Sequence, residues 1–596
     1  MPPKHRDFNR RRDVYGYAAV GVLVASALTF RHFRLDDAFI AYRTAQHWAV
    51  GLGPVMNAGE RVEGVSNLPW TGLLGLGAAL GLEPHVLAPW LSCLCGLAVL
   101  ALAAALAARV CGDARASGPA ALICAAAAPI AIWSVSGMET LAFTALLALL
   151  FLRALGDWSS RRGGIVTGLV LGVVASMRPE GLAYAFPLVL AQPCQVRWLR
   201  GVCLGAAAVV VPVFVGRWFY YGAWVPNPVL AKVTLGSAAF TSGLLYIGKG
   251  IAAFPLFFAA VPFTCACGGR VQRLLVGWIA TTMLVAWVAG GERFPGYRLW
   301  VPAWPALVLC LLVAMRRLQQ GSLPRPGWIV AAMLVAATVA LVLPQQAFRA
   351  SSFMAAIQGQ ARIQRQQAPL PHARLEAECD FLGAMCFALA AGGALLLWQR
   401  REWNRAALRS STRSDEAHDG STPLARSAAS RWVHASLCVW VGVVVLMPLW
   451  LDPSVRACRT ADPAVRFGEP VGEYLRSHFD SGTWVATNCA GSLPYFARLP
   501  VIDMLGLTDA HIARAQPDRR QWIGHEKGDG AYVLSRRPHI IILGGPEGSV
   551  TPWHFPGDRQ IAAAPEFQRD YALRRVVIAD FEFVYYARRD LAAPRE

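Results

Sequence analysis

The chain has 596 residues, of which 55% are hydrophobic and 16% charged, with a formal net charge of +19 and a mean hydropathy of +0.40. A soluble chain carries roughly a quarter charged residues, so the composition excludes an ordinary water-soluble enzyme. The basic excess sits in loops between apolar runs, which argues for membrane topology and against a nucleic-acid partner.

The N-terminus opens with Lys4, Arg6 and Arg10 to Arg12, followed by an apolar run at 14–30. No small-residue cleavage pattern precedes Arg31, so this run reads as a retained first span entered from the cytoplasm. Further spans are expected at 87–109, 118–134, 139–155, 164–177, 181–192, 201–217, 250–267, 272–289, 299–315, 327–343, 381–398 and 432–450. The fold class is therefore an all-α polytopic membrane protein of about thirteen spans, each near the length that crosses ~30 Å of hydrocarbon. The Gly-rich stretch 67–82 is too short for a span and is expected to lie along the outer face.

Residues 1–450 form the expected membrane domain, with a first outer loop at 31–86 and an Arg- and Ser-rich inner loop, 399–431, expected to be disordered. Beyond it, 451–596 is polar. Strand-like TWVAT, HIIILGG and RRVVIAD and helical VGEYLRSHF predict a soluble α/β domain on the outer side. Its GGPEGS is too loose for a phosphate loop. Most cysteines lie in apolar runs; Cys379, Cys458 and Cys489 lie outside them, where an oxidising compartment would permit a disulfide.

With this topology the inner loops, RALGDWSSRR, QVRWLR, GGRVQR and MRRLQQGSLPR, obey the positive-inside rule. Every stretch that mixes acidic, basic, aromatic and turn-forming residues falls on the other side: LDDAFIAYR with GERVEGVSN, SGMET, MRPEG, RWFYYGAWVPNPVLAKV and GGERFPGYRLW.

If 36–48 is helical, Asp36 shares a face with Arg43 and Asp37 with Thr44, while Phe39, Tyr42 and Ala49 would face lipid. The carboxylates are then either a base at the membrane boundary or, through an Asp36–Arg43 pair, an anchor. Glu60 and Glu63 follow in the same loop, and Arg178 and Glu180 sit at a break between two short spans, tolerable where they line a cavity. Lys232, Arg293 and Arg298 add cations suited to a phosphate leaving group. Tyr220, Tyr221, Trp218 and Trp224 stack on a sugar or form an interfacial belt. Asn227 bonds sugar hydroxyls or shapes a turn, and Glu139 bonds substrate or caps a helix. Asn67 and Glu292 join the substrate-binding candidates, whereas Asp503, Asp509 and His525 are structural or face an acceptor.

Taken together, LDDAFIAYR, GLGPVMNAGERVEGVSNLPW, SGMET, RPEG, YYGAWVPNPVLAK and GGERFPGYRLWVPAWP resemble the GT-C superfamily of integral-membrane glycosyltransferases, and most nearly its terminal β-(1→2)-arabinofuranosyltransferase type. IDMLGLTDAHIAR (502–514) and GHEKGDGAYVLSRRP (524–538) look like that family's C-terminal domain. The resemblance implies a polyprenyl-phosphate sugar donor, decaprenyl-phosphate arabinofuranose in the arabinosyl members, and a glycan or glycolipid acceptor. It also implies transfer on the outer face of a bacterial cytoplasmic membrane, with one of Asp36 and Asp37 catalytic; by their own chemistry Arg178, Lys232, Arg293 and Arg298 are the expected contacts to the donor phosphate. Relatives often carry another residue at the position of Arg293, which leaves its role open. A divalent cation held by Asp36, Asp37 or Glu60 is compatible with the pattern. The alternatives are a GT-C transferase that modifies protein or lipid A, and a lipid-linked sugar transporter, to which charges gathered at one rim are ill suited.

Overall fold

The computed structural model describes residues 3–319 and 446–591, apart from 157–159, 192–194, 233–235, 267, 447, 450, 519–524 and 553–554. The spans expected at 327–343 and 381–398, the inner loop 399–431 and nearly all of 432–450 lie outside the described residues.

The first helix, α1 (Pro3–Thr29), leads through a short turn to α2 (Asp36–Ala49). Asp36 and Asp37 occupy the first turn of α2, where carboxylates complement the partial positive charge of a helix N-terminus. Next, α3 (Leu68–Ala79) packs on α2, in keeping with the short non-spanning helix expected there. The long α4 (Pro84–Cys111) ends at Gly112, whose φ of 61° is the left-handed stop that glycine accepts. The single span expected at 118–134 is instead two pieces, α5 (Ser117–Ala126) and α6 (Ala128–Trp133): the chain is extended at Ala127, and Pro129 in the first turn of α6 has no N–H to carry the hydrogen-bond ladder across.

After α7 (Thr140–Ala154) comes α8 (Arg161–Met177), started by Ser160, whose hydroxyl accepts the Gly163 N–H. The span expected at 181–192 is only a 3-10 turn, Pro179–Tyr184, and the short α9 (Ala185–Ala191). Then α10 (Val196–Tyr221) lies against α8 with backbones in close approach. A Cβ at Gly164 or Gly168 would overlap carbonyls of α10, and one at Gly201 or Gly205 would overlap carbonyls of α8. The two GxxxG patterns thus face each other, as small residues do between membrane helices.

The short α11 (Asn227–Lys232) precedes α12 (Ser237–Ala253) and α13 (Pro255–Ala266), which meet at 97°. The span expected at 250–267 is therefore one arm of a bent pair, broken where Pro255 cannot continue the hydrogen-bond ladder. Last in the described body are α14 (Arg270–Val288) and α15 (Trp304–Gln319). Among the described residues four helices are long and apolar enough to cross a membrane, or five if the bent pair is one span. The other expected spans within this region are shorter or broken helices of the same multi-pass body.

The C-terminal part is an α/β domain whose five-stranded sheet has the order β2-β1-β3-β5-β4. Strands β1 (Val485–Thr487), β2 (Val501–Asp503) and β3 (Ile540–Ile542) run parallel and are buried along their length, as parallel strands are. An antiparallel hairpin, β4 (Tyr571–Ile578) and β5 (Phe581–Arg588), completes the sheet.

This domain sits on α2, which corrects two expectations. Phe39 and Tyr42 do not face lipid; they are buried against the rings of Tyr495 and Phe496. Arg43 makes no pair with Asp36. Its guanidinium donates to the carbonyls of Met56, Pro494 and Leu499, the last two of which tie it to the α/β domain. Asn227 donates to the carbonyls of Gly506, Leu507 and Asp509, and Asn57 pairs with both backbone groups of Val501.

Glu63 is likewise taken from the substrate-binding set, since it forms a buried ion pair with Arg217 at 2.6 Å. Arg217→Met is expected to leave that carboxylate buried alone and to cost about 3–5 kcal/mol, read as a lowered unfolding temperature in detergent. Adding Glu63→Gln should recover most of the loss, and an unchanged midpoint in the single variant would contradict the pairing.

Candidate functional site

Successive helix residues point about 100° apart, so Asp36 and Asp37 address different neighbours. Asp36 turns toward the α/β domain. One of its carboxylate oxygens accepts the Ser492 N–H and hydroxyl, each at 2.6 Å, and the Cys489 thiol at 3.2 Å, while the other accepts the Gly491 N–H at 3.0 Å. Burial raises its pKa above 3.8, with the Ser492 and Cys489 donors opposing.

Asp37 turns toward a cluster of cations. Lys232 Nζ stands 2.6 Å from its carboxylate. Burial pushes the Asp37 pKa up, but Lys232, Arg298 and His525 together outweigh it, and the net shift is downward from 3.8. Asp37 is therefore an ionised carboxylate at neutral pH. The helix α11 delivers Lys232, and the carbonyl bonds of Asn227 at the start of that helix fix its place. Both Lys232 and Arg298 lie over the ring of Phe294, at 5.9 and 5.2 Å from its centroid.

Arg298 is held by Glu292 at 2.7 Å and reaches the Met138 sulfur, which joins GGERFPGYR to SGMET. Next to Met138, Glu139 pairs with Arg178 at 3.1 Å and accepts from Asn67 at 2.8 Å; Arg178 also lies 3.5 Å from Glu180. Arg293 approaches His525 of the α/β domain at 3.4 Å. The structure thus brings Asp37, Asn67, Glu139, Arg178, Glu180, Lys232, Glu292, Arg293 and Arg298 into one region, with each of Lys232, Arg298 and Arg178 partnered by a carboxylate.

Other candidates lie apart from this cluster. Glu60 pairs with Arg536 at 2.8 Å and accepts from Asn57, Tyr221 donates to the Pro54 carbonyl, and Tyr220 lies under Arg61. Trp218 and Trp224 stack on each other. Asp503 and Asp509 bind backbone N–H groups of their own loop. A divalent cation does not fit Asp36 and Glu60, whose oxygens already accept from N–H, O–H and guanidinium donors. Cys458 and Cys489 are separate free thiols, and Cys379 lies outside the described residues.

Sequence reading missed the cradle of Cys489, Gly491 and Ser492 around Asp36, because no spacing links residues so far apart in the chain. It also missed Phe294, which lies under Lys232 and Arg298, and Asp462, which lies near both aspartates.

The described geometry has counterparts. Over 98% of this chain and 99% of the other, the fold matches the crystal structure of ArnT from Cupriavidus metallidurans bound to undecaprenyl phosphate, with a TM-score of 0.55 at 16% identity. The fold is GT-C. The apo ArnT structure gives the same TM-score and identity over 95% of this chain and 97% of that one. In sequence, the chain is 32% identical over 255 residues to the terminal beta-(1->2)-arabinofuranosyltransferase of Mycobacterium tuberculosis (strain ATCC 25618 / H37Rv). That match takes in 39% of this chain and 40% of the relative, so well under two thirds of the relative's length is spanned. Residues 459–592 match a family described as a domain of unknown function (DUF8728).

Asp462 offers a pH test of the site's surroundings. It caps the helix Pro463–His478 by accepting the Ala464 N–H at 2.8 Å, and burial, with Asp36 and Asp37 nearby, raises its pKa to about 6. A raised carboxyl pKa favours the folded state below the unfolded value of 3.8, and that contribution is lost as pH rises through about 6. Asp462→Asn keeps a capping oxygen and removes the titration. The unfolding temperature of the variant should therefore vary less between those two pH values than that of the parent; identical slopes would contradict the shift.

Proposed function

We propose that this chain is a membrane glycosyltransferase that moves a sugar, arabinofuranose on the favoured reading, from a polyprenyl-phosphate donor to a hydroxyl of a cell-envelope glycan or glycolipid. The reaction takes place on the outer face of the cytoplasmic membrane, the side on which the α/β domain lies. The observation that carries this reading is the Asp37–Lys232 pair, with Arg298 and Arg178 close by. The partial sequence likeness to an arabinofuranosyltransferase supports the choice of sugar.

In the proposed step the acceptor oxygen forms a bond to the sugar's anomeric carbon while the bond from that carbon to the phosphate oxygen breaks. The acceptor proton passes to Asp37, and the lipid leaves as polyprenyl phosphate carrying one more negative charge. Protonation of Asp37 ends its ion pair, so Lys232 is released to the departing phosphate at the moment that charge appears there. Arg298 and Arg178 present planar forks to the remaining phosphate oxygens. Glu139, Asn67 and Glu292 orient these arginines, and a sugar hydroxyl replaces one of their bonds when the donor enters.

A second reading keeps this machinery and changes the sugar and acceptor, with protein or lipid A receiving the group. The likeness of nearly the whole chain to an ArnT structure that holds undecaprenyl phosphate favours it.

Purified protein incubated with synthetic polyprenyl-phosphate sugars and candidate acceptors, read by mass spectrometry, separates the two readings. A glycosylated acceptor formed from the arabinofuranose donor is the expected result; transfer from another sugar donor alone would favour the second reading. Asp37→Asn should lower kcat by about 10²–10⁴-fold with donor binding retained, whereas Lys232→Ala should weaken donor binding as well. Wild-type turnover by Asp37→Asn would remove the proposed base.

A further inference from the structure

In the outer domain β1 is the middle one of the three parallel strands, its connection runs to β2 on one side, and β3 lies on the other. The carboxyl ends of β1 and β3 therefore border a topological switch point, where open α/β sheets hold their ligands. Asn488 bridges that crevice, donating to the Gly544 carbonyl and to Asp558. Beside it the turn after β1 presents the N–H groups of Gly491 and Ser492, the Ser492 hydroxyl and the Cys489 thiol, and all four donate to Asp36. A side chain of the helical body thus occupies the place of a ligand.

We propose that Asp36 is a positioning residue: the outer domain holds its carboxylate as a built-in ligand, and this hold aims Asp37, the next residue on α2, at the reacting groups. Several bonds reinforce the same seat. Arg43, two turns along α2, donates to the Pro494 carbonyl within the helix Ser492–Ala497 and to the Leu499 carbonyl just after it, and the Asp462 N–H donates to the Arg34 carbonyl just ahead of Asp36. The fit leaves no room, because a Cβ at Gly491 would overlap the Asp36 carbonyl oxygen. With its oxygens so engaged, Asp36 faces these neutral donors and not the cations around Asp37. The outer domain is accordingly part of the catalytic machinery although its sheet need never touch the donor.

The role of Asp36 as an aimer rests on the transfer reaction proposed above, but the hold itself can be measured without any substrate. Three variants of the full chain test both: Asp36→Asn, Gly491→Ala, which leaves both aspartates in place, and Ser492→Ala, which leaves both backbone donors. Hydrogen exchange should show the Gly491 and Ser492 amides protected in the parent, with at least one of the two exposed in each of the first two variants. Because a misplacement of about 1 Å costs about 10²-fold in rate, kcat should fall by that order in Asp36→Asn and Gly491→Ala. The donor KM and the acid limb of the pH–rate profile should stay as in the parent, since Asp37 is retained. Ser492→Ala should give a smaller loss of the same kind. Complete loss of transfer in Asp36→Asn with parental rates in Gly491→Ala would make Asp36 the base and overturn the proposal. Unchanged exchange and kcat in both would overturn it too. Absence of transfer by the parent with every donor would count against the reaction alone, and the exchange result would still decide whether Asp36 is held.

Discussion

The arrangement depends on the first turn of one helix, which carries two adjacent carboxylates in two different electrostatic settings. Asp36 meets only neutral donors, supplied by the β1 turn, whereas Asp37 meets Lys232 with Arg298 and His525 behind it. The angular step of an α-helix enforces this division. Adjacent residues cannot share a partner of that size, so a duplicated aspartate here is two parts and not a pair of equivalents.

Around that turn the molecule is built as a seat. The helical body contributes loops that converge on Asp37 through linked ion pairs, Arg298 with Glu292 and Arg178 with Glu139. Such pairs keep buried charges tolerable. The α/β domain contributes the other half by gripping α2 through Asp36, Arg43 and the Phe39 and Tyr42 rings. Separating the two would leave backbone carbonyls and a buried carboxylate without partners, so the site and the inter-domain contact form one unit.

Much of this was legible in the sequence. Alternation of apolar runs with basic loops gave a helical membrane body, and the shift to mixed polarity after 450 marked the α/β domain. The side on which LDD, SGMET, RPEG, VPNPVLAK and GGERFPGYR would gather followed from counting spans, and those stretches do meet. Hydropathy did not register the breaks at Ala127 and Pro255, because an apolar run reads alike whether its helix is straight or bent. Nor could spacing separate working side chains from scaffolding: Arg43, Glu60, Glu63 and Asn227 share loops and chemistry with the site but find partners brought near only by the tertiary fold.

The most direct measurement is a cryo-electron microscopy structure of the protein with polyprenyl phosphate bound. The account expects the phosphate within hydrogen-bond distance of Lys232 and Arg298, Lys232 drawn away from Asp37, and Asp36 still seated among Cys489, Gly491 and Ser492. A phosphate bound elsewhere, with the Asp37–Lys232 pair intact, would contradict it.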